Sequence, residues 1–103
     1  MRILTFSIEG QKLYKYGDFS HIVRNTKQYL KCSFNFVDAD WSKYKRIAVF
    51  EFEDNEYAIP IAGDNTCVVP DEVTDRRYFK LKVVGVKKDG TLTTTKEIIE
   101  QEG

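Results

Sequence analysis

The sequence predicts an all-β fold: an antiparallel β-sandwich, Ig-like or related, of about seven or eight short strands. Two observations carry this expectation. Three runs alternate apolar and polar residues with period two: Leu4, Phe6 and Ile8; Leu30, Cys32, Phe34 and Phe36; and Phe79, Leu81 and Val83. That period puts every second side chain on one face, so each run has a face to bury. Between such runs, turn signals recur roughly every 8–12 residues. A small barrel satisfies the same pattern. The core is well supplied: 7 Phe, 6 Tyr and 1 Trp in 103 residues, each ring burying on the order of 150–250 Å².

Residues 2–8 form the first expected strand. Glu9-Gly10-Gln11 turns, and Lys12 to Tyr16 returns. Gly17-Asp18 breaks the pattern. Residues 19–28 read as an irregular connection in which Phe19, Ile22, Val23 and Lys27 have a spacing that accommodates one helical turn. Tyr29 to Val37 is the clearest strand. Asp38 and Asp40 end it, because Asp favours turns over ladders, and Trp41 to Tyr44 follow as a loop. Arg46 to Glu53 is apolar on both faces, with Ala48, Phe50 and Phe52 on one and Ile47 and Val49 on the other, which predicts a central strand.

Asp54-Asn55 is a tight hairpin signal. Tyr57 to Ile61 returns, and Pro60 directs it to a sheet edge because proline cannot donate to a ladder. Residues 62–65 turn, and Thr66 to Val69 is a short strand. Pro70 opens a brief helical turn through Val73. Arg77 to Val86 is a long strand, Asp89-Gly90 a strong hairpin turn, and Thr91 to Ile99 a closing strand rich in β-branched residues. Residues 100–103 read as a frayed polar tail. The length and the lack of linker, repeat or low-complexity sequence predict one domain, residues 1–103.

Charge narrows the function. The 16 basic and 16 acidic residues give a formal net charge of zero. Nucleic-acid binders draw much of their affinity from a basic excess, and mimics of DNA need a strong acidic one, so neither is expected. No apolar run approaches the ~20 residues that span a bilayer, so no membrane role is expected. The chain opens on a strand pattern instead of a signal peptide, which predicts synthesis in the cytoplasm without signal-directed export.

No constellation predicts catalysis, a cofactor or a metal. His21 is the single histidine, near Ser20 and Asp18. A triad is recognised by geometry across a fold, not by adjacency, and no nucleophile elbow accompanies it; a loop histidine is the reading taken. Asp38 with Asp40, and Asp54 with Glu56, are explained by turn chemistry, since calcium loops carry more ligands at fixed spacing. No phosphate-binding glycine motif is present. Cys32 and Cys67 read as buried free thiols, with a disulfide between the sheets as the alternative.

Lys80, Lys82, Lys87 and Lys88, preceded by Arg76 and Arg77, cluster in sequence. They form either an electrostatic binding edge or a device that stops an edge strand from pairing with other sheets, and the second is preferred. The aromatic residues are too many to be central core. Trp and Tyr are enriched at interaction hot spots, so Trp41, Tyr44, Tyr57, Tyr14 and Tyr16 are the candidate protein-contact residues. For Trp41 two readings stand: an exposed contact anchor, or a lid folded back on the core.

Several stretches resemble a small module of phage tail, baseplate and fibre proteins from Gram-positive hosts. They are Tyr29-Leu-Lys-Cys-Ser-Phe-Asn-Phe36, Trp41, Ala48-Val49-Phe50 and Tyr57-Ala-Ile-Pro-Ile61. Cys67-Val-Val-Pro-Asp-Glu-Val73, Phe79-Lys-Leu-Lys-Val-Val-Gly85 and Leu92-Thr-Thr94 complete the set, which covers about residues 17–99. The resemblance implies a non-enzymatic attachment or assembly domain of a virion appendage, present in several copies and acting through protein contacts. Such modules often open longer proteins. A chain standing alone at this length also fits a phage-encoded inhibitor that occludes a bacterial defence or host protein.

Overall fold

A computed structural model describes all of residues 1–103. It has nine strands: β1 Arg2–Glu9, β2 Lys12–Tyr16, β3 Leu30–Phe36, β4 Lys45–Phe52, β5 Asn55–Pro60, β6 Thr66–Val68, β7 Tyr78–Lys87, β8 Gly90–Thr93 and β9 Glu97–Glu100. A single 3₁₀ turn, Ala39–Lys43, precedes β4, and a one-turn helix α1, Asp71–Thr74, precedes β7. The four-stranded sheet has the order β2-β1-β3-β6. The five-stranded sheet runs β5-β4-β7-β8, with β9 also on β7. Their inner faces share one core of 18 buried residues, so the molecule is a β-sandwich.

The alternating runs face inward as their period requires. Leu4, Phe6, Ile8, Leu30, Cys32 and Phe34 from one sheet meet Ala48, Phe50, Phe79, Leu81 and Val83 from the other. Phe6 stacks on Phe34 with ring centroids 5.5 Å apart, and Phe50 packs on Phe79 at 5.8 Å. Burying each such side chain stabilises the fold by about 1.5–3 kcal/mol. As expected, β4 lies between β5 and β7, and β5, which carries Pro60, is an edge strand.

One pairing departs from an antiparallel sandwich: β3 runs parallel to β1, with Leu4 opposite Cys32 and Phe6 opposite Phe34. Parallel neighbours need a crossover, and residues 17–29 supply it by wrapping the end of the sheet. This strap forms no helix. Gly17, His21, Asn25 and Gln28 all have positive φ, between 56° and 91°, and left-handed residues turn the chain too sharply for a helical turn. Arg2 secures the strap, its guanidinium donating to the carbonyls of His21 at 2.9 Å and Asp18 at 3.2 Å.

The expected closing strand 91–99 is two strands. β8 pairs with the last residues of β7 and β9 with its first. Between them Thr94 Oγ1 accepts the Val83 N–H at 2.9 Å in place of a ladder bond. The segment then reaches the other sheet: the Leu13 N–H donates to Thr95 Oγ1 at 3.1 Å, and the Thr95 N–H to the Gln11 carbonyl at 2.8 Å. On the far side the chain passes from β5 to β6 through a tight turn, closed by the Ala62 N–H to the Thr66 carbonyl and the Asn65 N–H to the Ala62 carbonyl. Laced at one edge and joined by a short turn at the other, the sandwich approaches a barrel, which is why one periodicity fits both.

The tail expected to fray is held. Gln101 is buried, and its side-chain amide donates to the carbonyls of Val73 at 3.0 Å and Arg76 at 2.8 Å. Val23 and Glu102 form a parallel bridge, and the Arg24 guanidinium donates to the Gly103 carbonyl at 2.7 Å. The left-handed strap has backbone groups that need partners, and the last residues supply them.

Candidate functional site

The five candidate contact residues fall into three places. Trp41 is 1% exposed. Its indole N–H donates to the Gly10 carbonyl at 2.9 Å, and its ring packs 5.4 Å from Phe36 and 6.0 Å from Tyr44. The 3₁₀ turn folds the ring back across the end of the sandwich, so Trp41 is the lid and offers no ring to a partner. Tyr44 is half-buried beside it, under the Lys87 ammonium at 4.9 Å. Tyr57 points inward from β5 and packs on the core. Tyr14 and Tyr16 alone present exposed rings, at 41% and 70%, on the outer face of β2.

The residues considered for catalysis do not assemble. The Ser20 hydroxyl donates to Asp18 at 2.6 Å, while His21 Nδ1 faces Glu102 at 3.1 Å. The Ser20 side-chain and backbone bonds hold the Asp18 carboxyl below the usual range. Asp38 accepts the Gly10 N–H, and Asp40 pairs with Lys43. No three His, Cys, Asp or Glu side chains are grouped to hold a metal ion.

Cys32 and Cys67 lie directly opposite one another on β3 and β6, both buried and free. They belong to one sheet, so a link between sheets is ruled out by placement. A hydrogen bond to Cys67, then burial, pushes the Cys32 thiol well above its ordinary range.

The lysine cluster corrects the preferred sequence reading. β7 lies inside its sheet, between β4 and the β8–β9 pair, so Lys80 and Lys82 guard no edge. They stand on the outer face of the five-stranded sheet. There Lys82 pairs with Glu56 at 3.6 Å, and Lys96 pairs with Glu51 at 3.0 Å. Burial pushes Glu51 up, but the Lys96 hydrogen bond and charge, with Lys82 behind it, outweigh that and hold the carboxyl below its usual range.

Beside these ion pairs runs an apolar strip. The register sets Pro60, Ile47 and Val84 in one row across β5, β4 and β7, and Ala58 with Val49 in the next. Ala58, Pro60 and Val86 are exposed, Ile47 and Val84 half-buried, and Val49 buried. The strip was readable from the two apolar faces of residues 46–53, but that pattern points equally to a strand covered on both sides.

Comparisons with family models, with curated proteins and with solved structures find no match for this chain.

Proposed function

We propose that this chain is a non-enzymatic contact module that engages protein through the outer face of its five-stranded sheet, as a structural or assembly component of a virion appendage. The observation that carries the reading is the apolar strip Pro60, Ile47, Val84 and Ala58 bordered by the Lys82–Glu56 and Lys96–Glu51 pairs. An apolar centre inside a polar rim is how protein interfaces are organised. A laced sandwich presents that face at little conformational cost. The virion context rests on the resemblance of the strand sequences to phage tail modules. A second copy of the chain is one expected partner, since assembly modules work in multiples.

The test is native mass by light scattering across a concentration series, alone and mixed with phage tail components, for the wild type and Val84→Glu. A defined oligomer or a tail complex that Val84→Glu abolishes, with the fold retained by circular dichroism, supports the proposal. A monomer at high concentration with no affinity for any tail component overturns it. Stoichiometric capture of one host protein by such a monomer would establish the inhibitor instead.

A further inference from the structure

The outer face of the four-stranded sheet differs in chemistry from the rest of the surface. The register places Tyr16, Thr5, Ser33 and Thr66 in one row across β2, β1, β3 and β6, and Tyr14, Ser7 and Asn35 in the next. No residue in either row is charged, although 31% of the chain is. Charge returns only at the margins, with Lys12 opposite Glu9 and with Lys31 opposite Ile3. Adjacent strands bring these groups about 4.8 Å apart across the sheet.

The polar groups on this face are unspent. Thr66 donates to Asp64 at the far edge, while Thr5, Ser7, Ser33, Asn35, Tyr14 and Tyr16 make no side-chain hydrogen bond within the chain. Thr5, Ser7, Asn35 and Tyr16 line a cavity of about 330 Å³, at the small end of the 300–1,000 Å³ typical of ligand sites. Tyr16 stands 70% exposed at its side.

We propose that this face is a binding site for a neutral oligosaccharide. Covering the rows with an apolar surface would strand several hydroxyl and amide groups, at about 1–3 kcal/mol for each left unpaired. The occupant must therefore bring its own donors and acceptors. An anionic or cationic ligand finds no opposite charge in either row. A neutral glycan meets both conditions: its hydroxyls pair with Thr5, Ser7, Ser33 and Asn35, and the apolar face of a sugar ring lies on the ring of Tyr16 or Tyr14, an apolar body with a polar tip. The site is on the opposite sheet from the proposed protein contact, so the two readings stand or fall separately.

The experiment is a two-dimensional NMR titration of the folded chain with cellotetraose, maltotetraose and chitotetraose in turn, with a heparin tetrasaccharide as the charged comparator. Saturable shifts centred on Thr5, Ser7, Tyr16, Ser33 and Asn35 with one neutral probe, weakened about five- to tenfold by Tyr16→Ala, support the site. Tyr16 is exposed, so that variant folds; an unchanged spectrum of the buried core verifies it. A Ser33→Ala, Asn35→Ala double variant should weaken the same titration. Absence of shifts with every neutral probe up to about 10 mM, shifts centred elsewhere, or stronger binding of the heparin fragment would overturn the proposal.

Discussion

Gly85 and Trp41 occupy touching positions: a Cβ at residue 85 would stand 2.9 Å from Cζ3 of Trp41, and 2.9 Å from Cβ of Tyr44. Gly85 faces inward from β7 beneath the lid, and its missing side chain is the space the indole fills. Trp41 is pinned from the other side by its bond to Gly10, so the ring has no room to retreat. Gly85→Ala is expected to destabilise the fold by about 1–3 kcal/mol, read as a lower urea midpoint with an unchanged slope.

The buried tail gives a second expectation. Gln101→Ala leaves the carbonyls of Val73 and Arg76 without their shared donor. The Val73 carbonyl keeps the Arg76 N–H at 3.3 Å, so the loss falls mainly on the tail's own anchoring bonds and should cost about 1–2 kcal/mol. The variant should unfold at lower denaturant than the wild type. Hydrogen exchange should accelerate first at Arg24, Asn25 and Glu102, whose N–H groups are bonded in the strap and tail. Wild-type protection at those amides would show that the tail is dispensable.

Glu51 sets a pH dependence. Its carboxyl is depressed in the folded state by Lys96 and Lys82, so it binds its proton more readily when unfolded. The stabilisation is therefore complete above the unfolded value of about 4.3 and lost as pH falls through the folded one. Urea unfolding of Glu51→Gln should lie below the wild type at pH 7, and the gap should narrow as pH falls below about 4.3. A gap of constant size would exclude the charge as its source.

Cys32 and Cys67 should be silent at neutral pH. Both are buried, and the Cys32 thiol is raised well above its ordinary range, while only the thiolate is nucleophilic. Ellman's reagent is expected to count no thiols in the native protein and two in denaturant. Prompt reaction of the folded chain would mean that β6 opens readily.

The sandwich was legible because alternation in β1, β3 and β7 fixes which side chains turn inward. Three features were not legible, each for a physical reason. The parallel β1–β3 pair depends on where the strap carries the chain, and period two carries no strand direction. The place of Trp41 depends on Gly85, 44 positions away in sequence, because an aromatic in a loop looks the same whether or not a glycine waits to receive it. The inner position of β7 follows from pairing with β8 and β9 at its two ends, which turned a presumed edge lysine cluster into a charged rim. Tyr14 and Tyr16 were legible as exposed aromatics, but the hydroxyl rows beside them arise only when three separate strands align.

The lacing of β2 to residues 93–97 has a kinetic consequence. Its side-chain bonds, Gln11 to Thr93, Leu13 to Thr95 and Lys15 to Glu97, each join partners 82 positions apart. Loop closure over such spans must be met before these bonds repay it, and folds dominated by distant pairings reach the native state in milliseconds to seconds, not microseconds. On the ribosome, the first hairpin must wait with one flank unpaired until residues 93–97 have cleared the exit tunnel.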